Sequence, residues 1–483
     1  MYKFQMYTKL QKEKPEIFAE LKKAADEIGI PADVRGKFGL TGAISGMPSP
    51  LKARIEKAMM EESQKCVGLG YYVDQVRAIV KDVYGDEYDA AVTNTCEGSL
   101  WISFDSLFTP PALGRGDNYR GRYITPYEKH FHHHGAYGRP YPARYKDIIC
   151  DRGVTTGELG FYGKRQNNLD TVIVPLVGAE YPVHGLKYYP VPFLTGVNVE
   201  KSLQAIEENA ERHSIMLTGF SSLGYDTPGY GYADKDAEGT PLLSKGIAKI
   251  AKKYNVPYVI DNAWGIPFIG TNIKKIGADV VCYSLDKASW APTGSLIIGT
   301  EESMVPIRRA MGLHSSRSGA TSAYGKAAYV GFDPGKEALS GIVAALTMIR
   351  DEPQILKKPV DDLYDLVKEE FATIDSKIRN HFDIFKSYNS GAVEINYEKS
   401  WKNGQLGIPV FSIEDMYANS HLIQDGCGAM GIVPTIAYDG NIFVSAGLGT
   451  CDSQGNLDKD LMRKGIKGLM VVIETVCRHA GII

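Results

Sequence analysis

The stretch Val259-Ile-Asp-Asn-Ala-Trp-Gly265, followed about twenty residues later by Val280-Val-Cys-Tyr-Ser-Leu-Asp-Lys287, decides how this chain reads. Asp261 ends the apolar run Val256-Pro-Tyr-Val-Ile260, and Lys287 closely follows a second run, Ala278-Asp-Val-Val-Cys-Tyr283. A third run, Ala291-Pro-Thr-Gly-Ser-Leu-Ile-Ile-Gly299, comes next. Short apolar runs bounded by turn residues read as strands buried on both faces, as in a largely parallel sheet. Ala90-Ala-Val-Thr93, Thr171-Val-Ile-Val-Pro175 and Ile215-Met-Leu-Thr-Gly-Phe-Ser-Ser-Leu223 fit the same pattern, with helices expected over 199–212 and 242–254. This alternation specifies an α/β fold whose large domain holds a mostly parallel sheet flanked by helices. Such sheets bind ligands at the carboxyl ends of their strands.

An aspartate ending one buried strand and a lysine just past the next have the layout of a pyridoxal phosphate (PLP) site. PLP withdraws electrons only while its pyridinium nitrogen stays protonated, which calls for a carboxylate against that nitrogen. Asp261 is placed for that role. The aldehyde must be held as a Schiff base by a lysine, and Lys287 is the candidate. Ser284, three residues before it, offers a hydroxyl to the cofactor phosphate, and the small Ala263 suits a place under the ring. Alone, Lys287 would read as a surface lysine and Asp261 as a helix cap or turn; the pairing outweighs either. Upstream, Thr93-Asn-Thr-Cys-Glu-Gly-Ser-Leu-Trp101 is a small-residue turn opening a helix, which aims backbone N–H groups at an anion.

These residues resemble the fold-type-I PLP-dependent enzymes, the aspartate aminotransferase superfamily. Within it, Tyr283-Ser-Leu-Asp-Lys-Ala-Ser-Trp-Ala-Pro-Thr-Gly294 is most similar to the lysine loop of the O-phosphoseryl-tRNA:selenocysteinyl-tRNA synthases. The resemblance spans about 170–331, reaches back over 37–107 and fades across the last 150 residues. It implies that Glu97, Gly98 and Ser99 form the phosphate loop, that Tyr181 or His184 stacks on the open face of the ring, and that Ser221 or Ser222 meets the ring hydroxyl. Thr41 and Gly42, in a Gly/Pro-broken arm over 37–50, would border the substrate. Arg317 would meet a substrate phosphate or carboxylate, while Gly319 and Thr321 would reach the cofactor phosphate of a neighbouring subunit. A homodimer or homotetramer with active sites at the subunit interface follows from that.

At 483 residues the chain suits more than one core: an N-terminal helix and arm (1–50), the large PLP-binding domain (51–334) and a smaller α+β domain (335–483). An apolar fraction of 44% is ordinary for a soluble protein. The net charge of −3 gives no general pull toward nucleic acid or membrane. No apolar run approaches the about eighteen residues of a membrane span, and the first residues lack the plan of a signal peptide, so a cytoplasmic protein is expected. Seven cysteines, odd in number and without a C-x-x-C pair, read as free thiols. Cys427, after a helix expected over 415–426 and stopped by glycine, reads as packing before nucleophile.

Two features depart from the family's pattern. Residues 114–168 interrupt the expected helix-to-strand link with a segment rich in Tyr, Arg, Gly and His. A link of that length is usually functional or disordered, and its aromatic content argues against disorder. Within it, the adjacent side chains of His132, His133 and His134 cannot converge on one ion, so no metal is expected. His133 stays a candidate for substrate contact, beside the plainer reading of a lid or subunit contact. The second departure is the late strand Gly440-Asn-Ile-Phe-Val-Ser-Ala-Gly447, which lacks the arginine that many relatives use for the substrate carboxylate. Together these favour a lyase: Lys287 removes the α proton of an amino acid or amine, and a group on the β carbon leaves with its C–S, C–O or C–C bond. An aminotransferase, a tRNA-dependent transferase and a non-catalytic PLP-sensing regulator are the alternatives. The net charge speaks against a nucleic-acid partner.

Overall fold

A computed structural model describes residues 3–41, 50–108, 121–127, 139–140, 169–178, 180–183, 191–194, 196–312, 329–397, 422–434, 436–438, 441–447, 449–452 and 454–483. The strands of the large domain are β1 (Tyr88–Thr93), β2 (Arg122–Tyr127), β3 (Arg139–Pro140), β4 (Asp170–Pro175), a separate ribbon of β5 (Glu180–Val183) and β6 (Val191–Phe193), then β7 (Leu217–Leu223), β8 (Tyr258–Asp261), β9 (Val280–Ser284) and β10 (Ser295–Thr300). Apart from the ribbon they form one eight-stranded sheet in the order β1-β10-β9-β8-β7-β2-β4-β3. Only β10 runs against its neighbours.

Strand alternation divides the sheet's apolar residues between two cores. Ala90, Val92, Tyr258, Ile260, Val281 and Tyr283 face a core covered by α2 (Ala53–Ser63), α3 (Leu69–Tyr84), α5 (Val199–Arg212), α6 (Leu242–Tyr254) and α8 (Lys336–Asp351). Ala91, Val259, Val280, Cys282 and Ile297 face a second core covered by α4 (Cys96–Phe108) and α7 (Glu301–Ala310). Helices on both faces are what strands apolar on both sides require.

The smaller domain carries a sheet in the order β11-β12-β14-β13, made of β11 (Asp383–Ser387), β12 (Ala392–Asn396), β13 (Ile436–Tyr438) and β14 (Asn441–Ser445), antiparallel throughout. Its core is closed by α1 (Lys3–Ile28), α9 (Gln354–Phe371), α10 (Leu422–Ala429) and α11 (Lys459–His479). The N-terminal helix therefore packs with the C-terminal part of the chain: Leu10, Ile17, Leu21 and Ala25 are buried there. Conversely α8, expected in the smaller domain, packs on α2 and α3.

Three elements differ from the sequence reading. Strand β2 lies inside the stretch taken as an interruption, 114–168, and sits centrally between β7 and β4. It hid because it reads Arg-Tyr-Ile-Thr-Pro-Tyr, and a proline argues against a central strand. Helix α3 was not anticipated. Helix α10 does not stop at Gly426 but runs on to Ala429. Gly426 is a packing residue, since an added Cβ would sit 2.8 Å from Val472 Cγ1 on α11; Gly431 (φ +77) is the glycine that turns the chain after the helix. Among the described residues no helix is long and apolar enough to cross a membrane.

Candidate active site

Strands β7, β8 and β9 end side by side, and their register sorts the polar residues at those ends. Ser221 pairs with Val259, Leu223 with Asp261, and Asp261 with Cys282. Asp261, two residues after Val259, therefore shares its face, the one covered by α4. Its side chain is 2% exposed and accepts the N–H of Ala263 at 3.0 Å. Ala263 is buried on the same side. The chain reverses behind Asp261 because Gly265 N–H donates to Asn262 O at 2.7 Å.

The two serines of β7 part company. Ser221 Oγ lies on the Asp261 face, fully buried and with no hydrogen-bond partner among the described residues. Ser222 faces the other core, where its hydroxyl bonds to Tyr258 Oη and donates to Leu223 O at 3.1 Å. Ser222 thus does not reach the face of Asp261. Ser284 is also committed, donating to Asp286 Oδ1 at 2.6 Å. That bond ties the end of β9 to the lysine loop.

Helix α4 begins where β1 ends. Thr95 caps it, accepting the Gly98 N–H on Oγ1 at 3.1 Å. Ser99 points into the sheet: its Oγ lies 2.8 Å from Thr93 Oγ1 and 2.7 Å from Ser295 Oγ, which donates to Tyr283 O at 2.6 Å. Its hydroxyl is therefore turned away from any anion at the helix end. Gly98 packs closely against Phe332, since an added Cβ would sit 3.0 Å from its ring. What this turn can offer an anion is its backbone amides and the helix dipole. Cys96, in the same turn, reports how close the parts lie. Burial pushes its thiol well up, Asp261 and Cys282 push the same way, and Lys287 opposes them. Three segments far apart in sequence thus meet within electrostatic reach of one buried sulfur.

Lys287 is half-buried and lines a small cavity with Thr41, Trp264, Ser390, Phe443 and Ser445. The N-terminal arm, the lysine loop and the ends of β12 and β14 converge there. One wall is aromatic: Trp264 stacks on Tyr225 at 5.5 Å and meets Phe443 edge-on at 5.3 Å. The two domains are registered by an amide pair in which Asn262 Nδ2 donates to Asn389 Oδ1 and Asn389 Nδ2 to Asn262 Oδ1, each at 3.0 Å. Asn389 Nδ2 also donates to Gly224 O, and its Oδ1 accepts from Thr271 N–H.

Glu97 is half-buried in the α4 turn. Gly42, His133, His184, Arg317, Gly319 and Thr321 lie outside the described residues, as does the side chain of Tyr181, whose backbone belongs to β5. The residues that sequence reasoning missed are Trp264, Asn389, Ser390, Phe443 and Ser445. Trp264 stood inside the quoted motif, and Phe443 and Ser445 stood on the strand read only for its missing arginine. Asn389 and Ser390 belong to a β-turn with no chemical signature of its own. Among the described residues no group of His, Cys, Asp and Glu side chains is set to hold a metal.

No protein-family model matches the sequence, and no curated protein matches it. Solved structures do. The chain shares its fold with aminotransferases. A thermostable omega transaminase engineered for synthesis of bulky amines aligns at TM-score 0.52 with 11% identity, over 89% of this chain and 86% of that one. Adenosylmethionine-8-amino-7-oxononanoate aminotransferase from Methanocaldococcus jannaschii aligns at TM-score 0.51 with 12% identity, over 90% and 88%. At such identities the likeness speaks for the fold.

Proposed function

We propose that this protein is a PLP-dependent enzyme that removes the α proton of a small amino acid or amine and then loses or replaces a group on the β carbon. The carrying observation is that Asp261, Ser221 and the first turn of α4 lie at the strand ends of one sheet face, with Lys287 in the loop that follows the neighbouring strand β9. These residues fit the cofactor. The buried Asp261 carboxylate would face the ring nitrogen and keep its proton, Ser221 Oγ would meet the ring hydroxyl, and the amides opening α4 would hold the phosphate. When bound, PLP makes the bond to the α hydrogen acidic by drawing electrons into its ring. Lys287 Nζ, once displaced by the substrate amine, would take that proton and return it to the departing group. The aromatic wall of Trp264 and Phe443 would keep water from that transfer.

Elimination is preferred to transamination because β14 brings only Asn, Ile, Phe, Val and Ser to the site, with no arginine for the α-carboxylate. Active sites completed by a partner subunit, and a cytoplasmic location, belong to the same reading. Lys287→Ala tests it: the near-visible absorbance of lysine-bound cofactor should vanish and turnover should fall by roughly a hundredfold to ten-thousandfold or more. Full activity in that variant would sink the reading. Aminotransfer would show itself if amino donors converted the bound cofactor to pyridoxamine phosphate, with no release of a side-chain fragment.

A further inference from the structure

Among the described residues Lys52 is the one buried lysine, at 7% exposure. Its ammonium lies 3.7 Å from the centroid of the Trp290 ring and donates to Asp452 O at 2.6 Å. No described carboxylate comes within ion-pair distance of it. A buried cation normally has a counter-charge, and here burial lowers the Lys52 ammonium below its ordinary pKa, with Cys451 and Asp452 opposing.

Lys52 lines a solvent-facing cleft of about 350 Å³, together with Ala53, Trp290, Gly447, Gly449 and Cys451. The N-terminus of α2 faces the same cleft. Ile55 and Glu56 N–H both donate to Lys52 O, and the helix has no side-chain cap for its first amides, those of Ala53 and Arg54. Two carboxylates border the space. Glu56 is exposed, and Asp452 is taken up by its own turn: Oδ1 accepts Gln454 and Asn456 N–H at 2.8 Å and Oδ2 accepts Asn456 Nδ2 at 2.9 Å. The cleft and the Lys287 cavity are lined by neighbouring positions of the chain. Trp290 is three residues beyond Lys287, at most about 10 Å of extended chain, and Ala446 directly follows Ser445.

We propose that this cleft is the subsite for an anionic group of the substrate, carboxylate or phosphate, with Lys52 as the cation that β14 does not supply. The word substrate rests on the function proposed above; the anion site does not. The full-length protein is titrated with ¹³C-succinate, followed by saturation transfer, and with inorganic phosphate, followed by ³¹P line width. The wild type binds at least one, and which one identifies the oxyanion. Lys52→Gln should weaken that binding about tenfold, the loss of one charge-assisted hydrogen bond, while Lys52→Arg keeps it. If Lys52→Gln does not fold, Ala53→Asp, at an exposed position on the cleft, should weaken binding likewise. Wild-type protein that binds neither anion overturns the proposal, as does unchanged binding in a folded Lys52→Gln or in Ala53→Asp. Lys287→Ala should bind the anion as wild type does, so failure of the cofactor reading shows in its activity and failure of the subsite in anion binding.

Discussion

The two faces of the large sheet treat the same polar atoms differently at their strand ends. On the face under α4, Ser221 keeps a buried hydroxyl without a partner among the described residues, and Asp261 is buried on the same side as Cys96. On the opposite face the hydroxyls are consumed internally: Ser222 bonds to Tyr258, and Tyr283 donates to Thr271 O at 2.9 Å. The lesson is that burial alone does not mark a site. A protein interior tolerates hydroxyls and amides when they satisfy one another, so what distinguishes Ser221 from its neighbour Ser222 is a hydroxyl held in reserve.

Asp261→Asn should produce the largest contrast. It is nearly isosteric, so the melting temperature should hold, while turnover falls by roughly a hundredfold or more because the ring proton loses its carboxylate. A variant that unfolds, or that keeps full turnover, would erase the distinction between the faces. Asn389→Ala strikes the opposite face through Asn262. It strands buried amide groups and should cost about 2–3 kcal/mol in urea denaturation, with turnover affected less than by Asp261→Asn. The adjacent serines give the sharpest test. Ser222→Ala should cost about 1 kcal/mol of stability and leave cofactor affinity alone; Ser221→Ala should leave stability alone and weaken PLP binding in a fluorescence titration. The smallest effect belongs to His213, at the far end of β2 beside Arg122. Burial lowers its pKa to about 4, with Arg122 and Arg212 adding to the shift. The unfolded chain protonates this ring near pH 6.5 while the fold keeps it neutral, so stability is complete above that pH and declines as pH falls from 6.5 toward 4. His213→Asn should flatten that decline without moving the pH profile of activity.

Much of the large domain was legible because strands buried on both faces leave continuous apolar runs, and Asp261 and Lys287 stood at the ends of two of them. The smaller residues were not legible at this level. Ser221 and Ser222 differ only by which face they take, and one residue of register decides that. Ser99 and Ser284 sat at the right positions for a phosphate, yet each satisfies a nearer group, Thr93 and Ser295 in one case and Asp286 in the other. The cavity walls Phe443, Ser445 and Ser390 come from the other domain. No local pattern carries that information, because it arises when two separately built sheets meet. Strand β2 was missed for the opposite reason: it carries a proline, and Pro126 is tolerated because the pairing with β7 ends at Ile124.

The lone antiparallel strand also has a consequence for how the molecule is made. Among the described residues β1 is bonded in the sheet only to β10, from Tyr88 against Thr300 to Thr93 against Ser295. Some two hundred residues separate these partners, and closing so long a loop is slow and unrewarded until the far strand exists. On a ribosome, β7, β8 and β9 can associate and take α4 against them while β1 waits, and the turn between β1 and α4 gains its bond to Ser295 only when β10 has emerged. The phosphate seat proposed above is then completed late, and on that proposal nascent chains truncated before β10 should fail to retain PLP even though Asp261 and Lys287 are already present.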